Sequence, residues 1–193
     1  MNSTAYVFRP ARPEDRAAVE ALDGSFTTGT VFEVVTREDG FTLREVVVDP
    51  PLTKVFPDDE DDEDGEDGED GEDGGAGAGR RVFVAVAEDG EVAGFAAVSH
   101  SAWNRRLVVE DIEVAPAHRG RGVGRGLMER AAGFARECGA GHLWLEVSNV
   151  NAPAVHAYRR MGFSLCGLDT TLYDGTASEG ERALYMSRWL PRP

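Results

Sequence analysis

Cysteine is scarce in this 193-residue chain, which carries only Cys138 and Cys166. Two thiols build no disulfide framework, and their separation is not that of a metal site, so both read as buried free thiols. Histidine is little commoner. His100, His118, His142 and His156 are scattered without ligand spacing and read as surface or structural residues, so no metal is expected. Long apolar runs are also missing. Nothing approaches the ~18 residues of a membrane helix, and MNSTAYVFRPARPED has no signal-peptide core. A soluble cytoplasmic protein without a membrane partner is expected. Lysine is rare, and 20 Lys and Arg stand against 35 Asp and Glu, a net charge of −15. A nucleic-acid partner therefore has no basic surface to rest on.

That negative charge is concentrated. Residues 58–73 hold 13 carboxylates and no base, leaving the remainder at about −2. From about 57 to 79 the chain runs through D-E and G-E-D repeats into GGAGAG. Like-charge repulsion and glycine freedom predict a disordered surface loop within one domain spanning 1–193. Such a loop adds little closure entropy, because that cost grows only logarithmically with length. The 41% hydrophobic content suffices for a core.

The elements follow from periodicity. YVFRPARPEDRAAVEALDGSF reads as a short strand, a Pro13-led turn and a helix with Glu14 and Asp15 in its first turn. Strands are expected over Val31–Thr36 and Phe41–Val48 around Asp39-Gly40, with Pro50-Pro51 ending regular structure. RRVFVAVAEDGEVAGFAAVSHSA is a hairpin turning near Asp89-Gly90, and Leu107–Val114 is the next strand. Gly122–Cys138 repeats apolar residues at Val123, Leu127, Ala131, Phe134 and Ala135, a helical stripe. A strand over His142–Val147, a helix over Pro153–Met161 and strands over Phe163–Tyr173 and Arg182–Trp189 complete a mixed α/β fold.

Between the strand LVVEDIEV and the helix RGLMERAAGFAREC lies R-G-R-G-V-G, Arg119 to Gly124. A strand turning through glycines into a helix leaves backbone N–H groups without intrahelical partners. The helix dipole and Arg119, Arg121 and Arg125 add positive potential, a setting for phosphate. The Gly-Lys-Ser/Thr ending of a P-loop is missing, and the dinucleotide fingerprint does not match. The turn, with N-V-N-A-P-A-V-H-A-Y-R-R-M-G-F about thirty residues on, resembles the GNAT superfamily of acetyl-CoA-dependent N-acetyltransferases. The resemblance implies the GNAT fold, a twisted, mostly antiparallel mixed sheet flanked by helices, and acetyl-CoA as co-substrate. It places the pantetheine arm against the backbone of Ile112, Glu113 and Val114. The pyrophosphate falls on Arg119, Gly120, Arg121, Gly122, Val123, Gly124 and Arg125.

Acetyl transfer to an amine needs a base, because an amine of pKa near 10 costs roughly 4 kcal/mol to deprotonate at pH 7. Two glutamates compete for that role. Glu110, in V-E-D-I-E-V, stands where several amine acetyltransferases of the superfamily carry their base. Glu146, in L-W-L-E-V, matches the base of ribosomal-protein N-terminal acetyltransferases. Either also reads as a solvated strand carboxylate. Asp111 and Glu113 are expected on the face opposite Glu110, unless a bulge upsets the alternation. Tyr158 is either a core aromatic or, by the resemblance, the phenol that protonates the departing thiolate. Asn151 reads as a helix cap that also contacts the coenzyme. Trp103 reads as a wall of the site or as packing at a strand end.

The runs S-A-W-N-R-R-L-V-V-E-D-I-E-V, L-E-V-S-N-V-N-A-P-A-V-H-A-Y and G-F-S-L-C-G-L-D-T-T-L-Y are similar to those of streptothricin acetyltransferases. These inactivate the antibiotic by N-acetylating its β-lysine moiety. The acidic insert has no counterpart expected there. A cationic substrate suits an acidic protein, with Glu110, Asp111, Glu33, Glu146 and Asp169 as substrate-side acids. Residues 58–73 read as a solvated spacer or a source of long-range attraction. Protein N-terminal or lysyl acetylation, and a non-catalytic acetyl-CoA-binding module, stay as alternatives, and a homodimer stays open.

Overall fold

The computed structural model of the protein describes residues 5–55 and 79–191. Alternating and β-branched runs become strands where expected. These are β1 (Val7–Pro10), β2 (Phe26–Arg37), β3 (Gly40–Lys54), β4 (Arg81–Val86), β5 (Val92–Ser101), β6 (Arg106–Val114), β7 (His142–Ser148), β8 (Ser164–Asp169) and β9 (Ala183–Trp189). Three α-helices intervene among the described residues: α1 (Arg16–Glu20), α2 (Val123–Glu137) and α3 (Ala152–Arg160). Seven strands form one sheet in the order β1-β4-β5-β6-β7-β9-β8, and β2 and β3 form a separate hairpin. Every pairing in the large sheet is antiparallel except β6 with β7, the pair that α2 connects.

The stripe predicted on α2 is its buried face. Val123, Leu127, Met128, Ala131, Ala132, Phe134 and Ala135 lie against one side of the sheet, meeting Val98, Leu107, Leu143 and Leu145. Burying each large aliphatic side chain stabilises the fold by roughly 1.5–3 kcal/mol. On the other side, Val19 and Leu22 cover Val84, Phe95 and Ala97, so α1 protects the β4–β5 half. The outward face of β7 beyond it carries His142, Trp144, Glu146 and Ser148, all half-buried.

Three expectations are corrected. Pro50-Pro51 does not stop β3, which continues to Lys54. The register jumps from Thr30↔Val47 to Thr28↔Leu52, so both prolines sit in an irregular stretch where their missing N–H groups break no ladder bond. The strand expected to reach Tyr173 ends at Asp169, whose side chain accepts from the Thr171 and Leu172 amides and folds the chain into a turn. Cys166 is exposed on β8, an edge strand, and not buried; Cys138 is half-buried. The acidic segment lies outside the described residues but for Gly79, so its expected disorder is not addressed by the structure.

Candidate active site

The sheet opens between β6 and β7. Their parallel ladder runs only from Arg106↔His142 to Val109↔Leu145, and beyond it Glu146 to Ser148 pair with β9 alone. At the same level the β5–β6 register slips from Val98↔Val109 to Ala97↔Asp111, leaving Glu110 as an extra residue. This is a β-bulge, and it adds local twist that turns β6 away from its neighbour. It also breaks the regular alternation, and Glu110 and Asp111 are both exposed. Past the bulge, the Ala115 N–H donates to Ala93 O at 3.0 Å, toward β5. Backbone groups alternate sides along a strand, so those of Ile112 and Val114 face the opening. Glu113 turns its carbonyl to β5, where a Cβ on Gly94 would stand 2.5 Å from it. Two of the three expected backbone residues therefore face the cleft.

The turn that follows is shaped by backbone sign. Gly120 and Gly122 have φ of 72° and 89°, a region L side chains rarely adopt. A Cβ at either would meet nothing within 4 Å, so the space before them is open. The first backbone bond of α2 runs from Gly126 N–H to Gly122 O at 2.9 Å. Amides at the 120–125 turn thus lie ahead of the helical ladder, at the positive end of the dipole. Arg121 and Arg125 are exposed beside them. Arg119, also exposed, has part of its guanidinium engaged: its Nε donates to Val114 O at 2.8 Å and its Nη2 to Asp23 O at 3.2 Å. Its guanidinium braces the strand end, a task invisible in the spacing of the motif. A diphosphate fits the amides of this turn and the exposed arginines beside them.

Glu146 stands on β7 just past the last rung shared with β6. It is half-buried and accepts a hydrogen bond from the Tyr173 hydroxyl. Burial raises its pKa; the Tyr173 bond opposes that rise, and the charge of Glu181 adds to it. Tyr158 projects from α3, whose first turn is capped by Asn151 Oδ1 accepting from the Ala154 N–H at 3.1 Å. Its ring lies 5.8 Å from that of Phe163, and it is 9% exposed. Burial, then the charges of Asp111 and Glu146, hold its pKa far above that of a free phenol. Asp111, Glu146 and Tyr158 thus share one electrostatic neighbourhood. Glu110 instead pairs with Arg80 at 2.8 Å, on a more exposed surface. Among the other expected acids, Glu33 pairs with Arg44 on the β2–β3 hairpin.

Sequence reasoning missed three neighbours of Glu146. Tyr185 faces it across the β7–β9 ladder. Glu181 ion-pairs with Lys54 and accepts from the Ser148 hydroxyl at 2.5 Å. Tyr173 comes from the β8–β9 connection. The motif G-L-D-T-T-L-Y was the one signal that pointed near them. On the same face of β7 lies a cavity of about 420 Å³ lined by Arg106, Trp144, Tyr185 and Ser187. Trp144 stacks on Tyr185 at 4.9 Å between centroids. Trp103 is 88% exposed, so it neither packs at the strand end nor walls that cavity.

Residues 43–163 match the model of the acetyltransferase (GNAT) family. The streptothricin acetyltransferase of Streptomyces lavendulae is 68% identical over 190 residues, covering 98% of both chains. The crystal structure of a nourseothricin acetyltransferase superposes with a TM-score of 0.85 at 66% identity, over 97% of this chain and 100% of that one. A Bacillus anthracis structure in complex with acetyl coenzyme A superposes at TM-score 0.76 over 97% of this chain and 99% of that one. At 22% identity it bears on the fold alone.

Proposed function

Because this chain belongs to the acetyltransferase (GNAT) family, we propose that it transfers the acetyl group of acetyl-CoA to an amine of streptothricin, on the β-lysine moiety, and so confers resistance. The observation that carries this is near full-length identity of 68% to a streptothricin acetyltransferase. Acetyl-CoA supplies the activated acyl group, as a thioester.

The chain's own residues do the rest. Amides of the 120–125 turn, with Arg121 and Arg125, hold the diphosphate, while Ile112 and Val114 offer backbone groups to the pantetheine arm as an added strand would. Fixing the donor beside the amine replaces a bimolecular encounter by a positioned one, which can contribute several kcal/mol to the rate. Asn151 sets the start of α3 and so the height of Tyr158.

Glu146 is the base that takes the proton shed by the amine as the C–N bond forms. Burial has moved its pKa toward working pH, which favours proton acceptance. Glu110 is exposed and paired with Arg80. Tyr158 faces the sulfur as the C–S bond breaks. A phenol is protonated at neutral pH, so Tyr158 meets the departing thiolate as a donor. Asp111 and Glu146 add negative potential suited to a cationic acceptor.

Mass spectrometry of streptothricin incubated with the protein and acetyl-CoA should record a gain of one acetyl group on the β-lysine moiety. Acetylated peptide N-termini with unmodified antibiotic would overturn the proposal.

A further inference from the structure

The segment G-L-D-T-T-L-Y sets this chain apart from a general acetyltransferase pattern, and neither the donor site nor the transfer step accounts for it. Its geometry is built. Asp169 Oδ1 accepts from the Thr171 N–H at 2.8 Å, the Thr171 hydroxyl at 2.9 Å and the Leu172 N–H at 3.1 Å. The Asp174 N–H closes back on Thr171 O at 3.0 Å, and the Thr176 hydroxyl donates to Tyr173 O at 2.8 Å. These bonds fix the backbone on both sides of Tyr173, whose hydroxyl donates to Glu146. The far end of the same connection is fixed as well, because Glu181 is held by Lys54 of β3 and by Ser148 of β7. A surface excursion of a dozen residues is thus tied at both ends, with one aromatic hydroxyl aimed at one carboxylate.

We propose that Tyr173 is a positioning residue for acetyl transfer: its hydroxyl, presented by the Asp169 turn, holds the Glu146 carboxylate in the orientation that accepts the amine proton. The proposal rests on the reading of Glu146 as the base. Tyr173 touches neither reacting atom and acts through Glu146. Other groups near that carboxylate are Tyr185 from β9, Glu181 from the preceding turn, with Lys54 upon it, and Tyr158 from α3, which also feels the charge of Asp111 on β6. Glu181 repels charge on Glu146, and the Tyr173 bond stabilises that charge. Burial also holds the Tyr173 phenol protonated, so it donates throughout the working range.

The test is kcat/KM for streptothricin against pH, at saturating acetyl-CoA, for the wild type, Tyr173→Phe, Glu146→Gln and the double variant. Tyr173→Phe keeps the ring, and an unchanged melting temperature checks the fold. Losing a hydrogen bond to the charged form makes Glu146 harder to ionise, so the acidic limb should move up by about one pH unit. Below that limb kcat/KM should fall about tenfold. Glu146→Gln should lower kcat by about 100-fold or more and abolish the limb, and Tyr173→Phe should then add little. A limb that stays in place in Tyr173→Phe, while Glu146→Gln is crippled, overturns the role of Tyr173 alone. A Glu146→Gln enzyme that keeps its rate and its limb overturns the base assignment, and the role of Tyr173 falls with it.

Discussion

One β-carbon placed at Gly94 should disturb both halves of the donor site together. Gly94 lies on β5 opposite Val114, and an alanine Cβ there would stand 2.5 Å from Glu113 O and 3.2 Å from both Val114 Cα and Val123 Cγ1. Carbon and oxygen rest comfortably nearer ~3.3 Å, so the strand end must retreat by about 0.8 Å. It has little freedom to do so, because β5 is paired with β4 on its other edge and Val123 begins a buried helix. Overpacking of this kind costs typically 1–3 kcal/mol, or a fall of about 2–12 °C in melting temperature for a chain of this size. The displaced atoms belong to the strand that offers Ile112 and Val114 and to the first residue of the helix behind the glycine turn. KM for acetyl-CoA should therefore rise about tenfold or more, since misplacement near 1 Å can cost up to ~100-fold. Scanning fluorimetry and initial rates at varied acetyl-CoA measure both effects. An unchanged KM in a protein with the lowered melting temperature would refute the claim that these two elements grip the donor jointly.

The same substitution has the opposite sign further along the helix. Gly133→Ala meets nothing within 4 Å, so it should add about 0.5–1 kcal/mol of stability with unchanged kcat/KM. Tyr158→Phe should lower kcat by about 100-fold with little change in KM for acetyl-CoA, measured by thiol release. Asp15 accepts from Arg9 Nη2 at 2.8 Å and from the Arg12 N–H at 2.7 Å, and these bonds hold its pKa at about 2. A depressed carboxyl pKa stabilises the fold above the unfolded value near 4. That contribution, about 2 kcal/mol, should disappear as pH falls from about 4 to 2. Asp15→Asn should lose stability at pH 7 and much of its difference from wild type at pH 2, by denaturant titration.

Local chemistry was legible in the sequence, and long-range geometry was not. The β4–β5 hairpin, the α2 stripe and the Asn151 cap depend on residues within a few positions of one another, and each stands where the pattern put it. The bulge at Glu110 left no trace, because VVEDIEV reads the same with or without an extra residue opposite β5. Pro50-Pro51 read as a stop because nothing local announces the irregular pairing that accommodates it. Glu146 and Tyr158 were named by resemblance, but what separates Glu146 from Glu110 is burial and partners 27 and 35 residues away, Tyr173 and Glu181. Arg119 reads as an anion ligand in the motif. Its contact with the Asp23 carbonyl, 96 residues distant, could only emerge from the folded chain.

The ladder that ends at Val109 makes this enzyme's sturdiness depend on its diet. Under the proposed site, the edge of Ile112 and Val114 that β7 leaves unpaired is completed only when the coenzyme binds there. At a hundredfold excess over its dissociation constant, a ligand that binds the folded form alone adds about 2.7 kcal/mol of stability. A cell rich in acetyl-CoA would keep the protein folded longer, and a starved one would lose it to proteolysis sooner. Supply of the donor then governs how much catalyst survives as well as how fast it turns over.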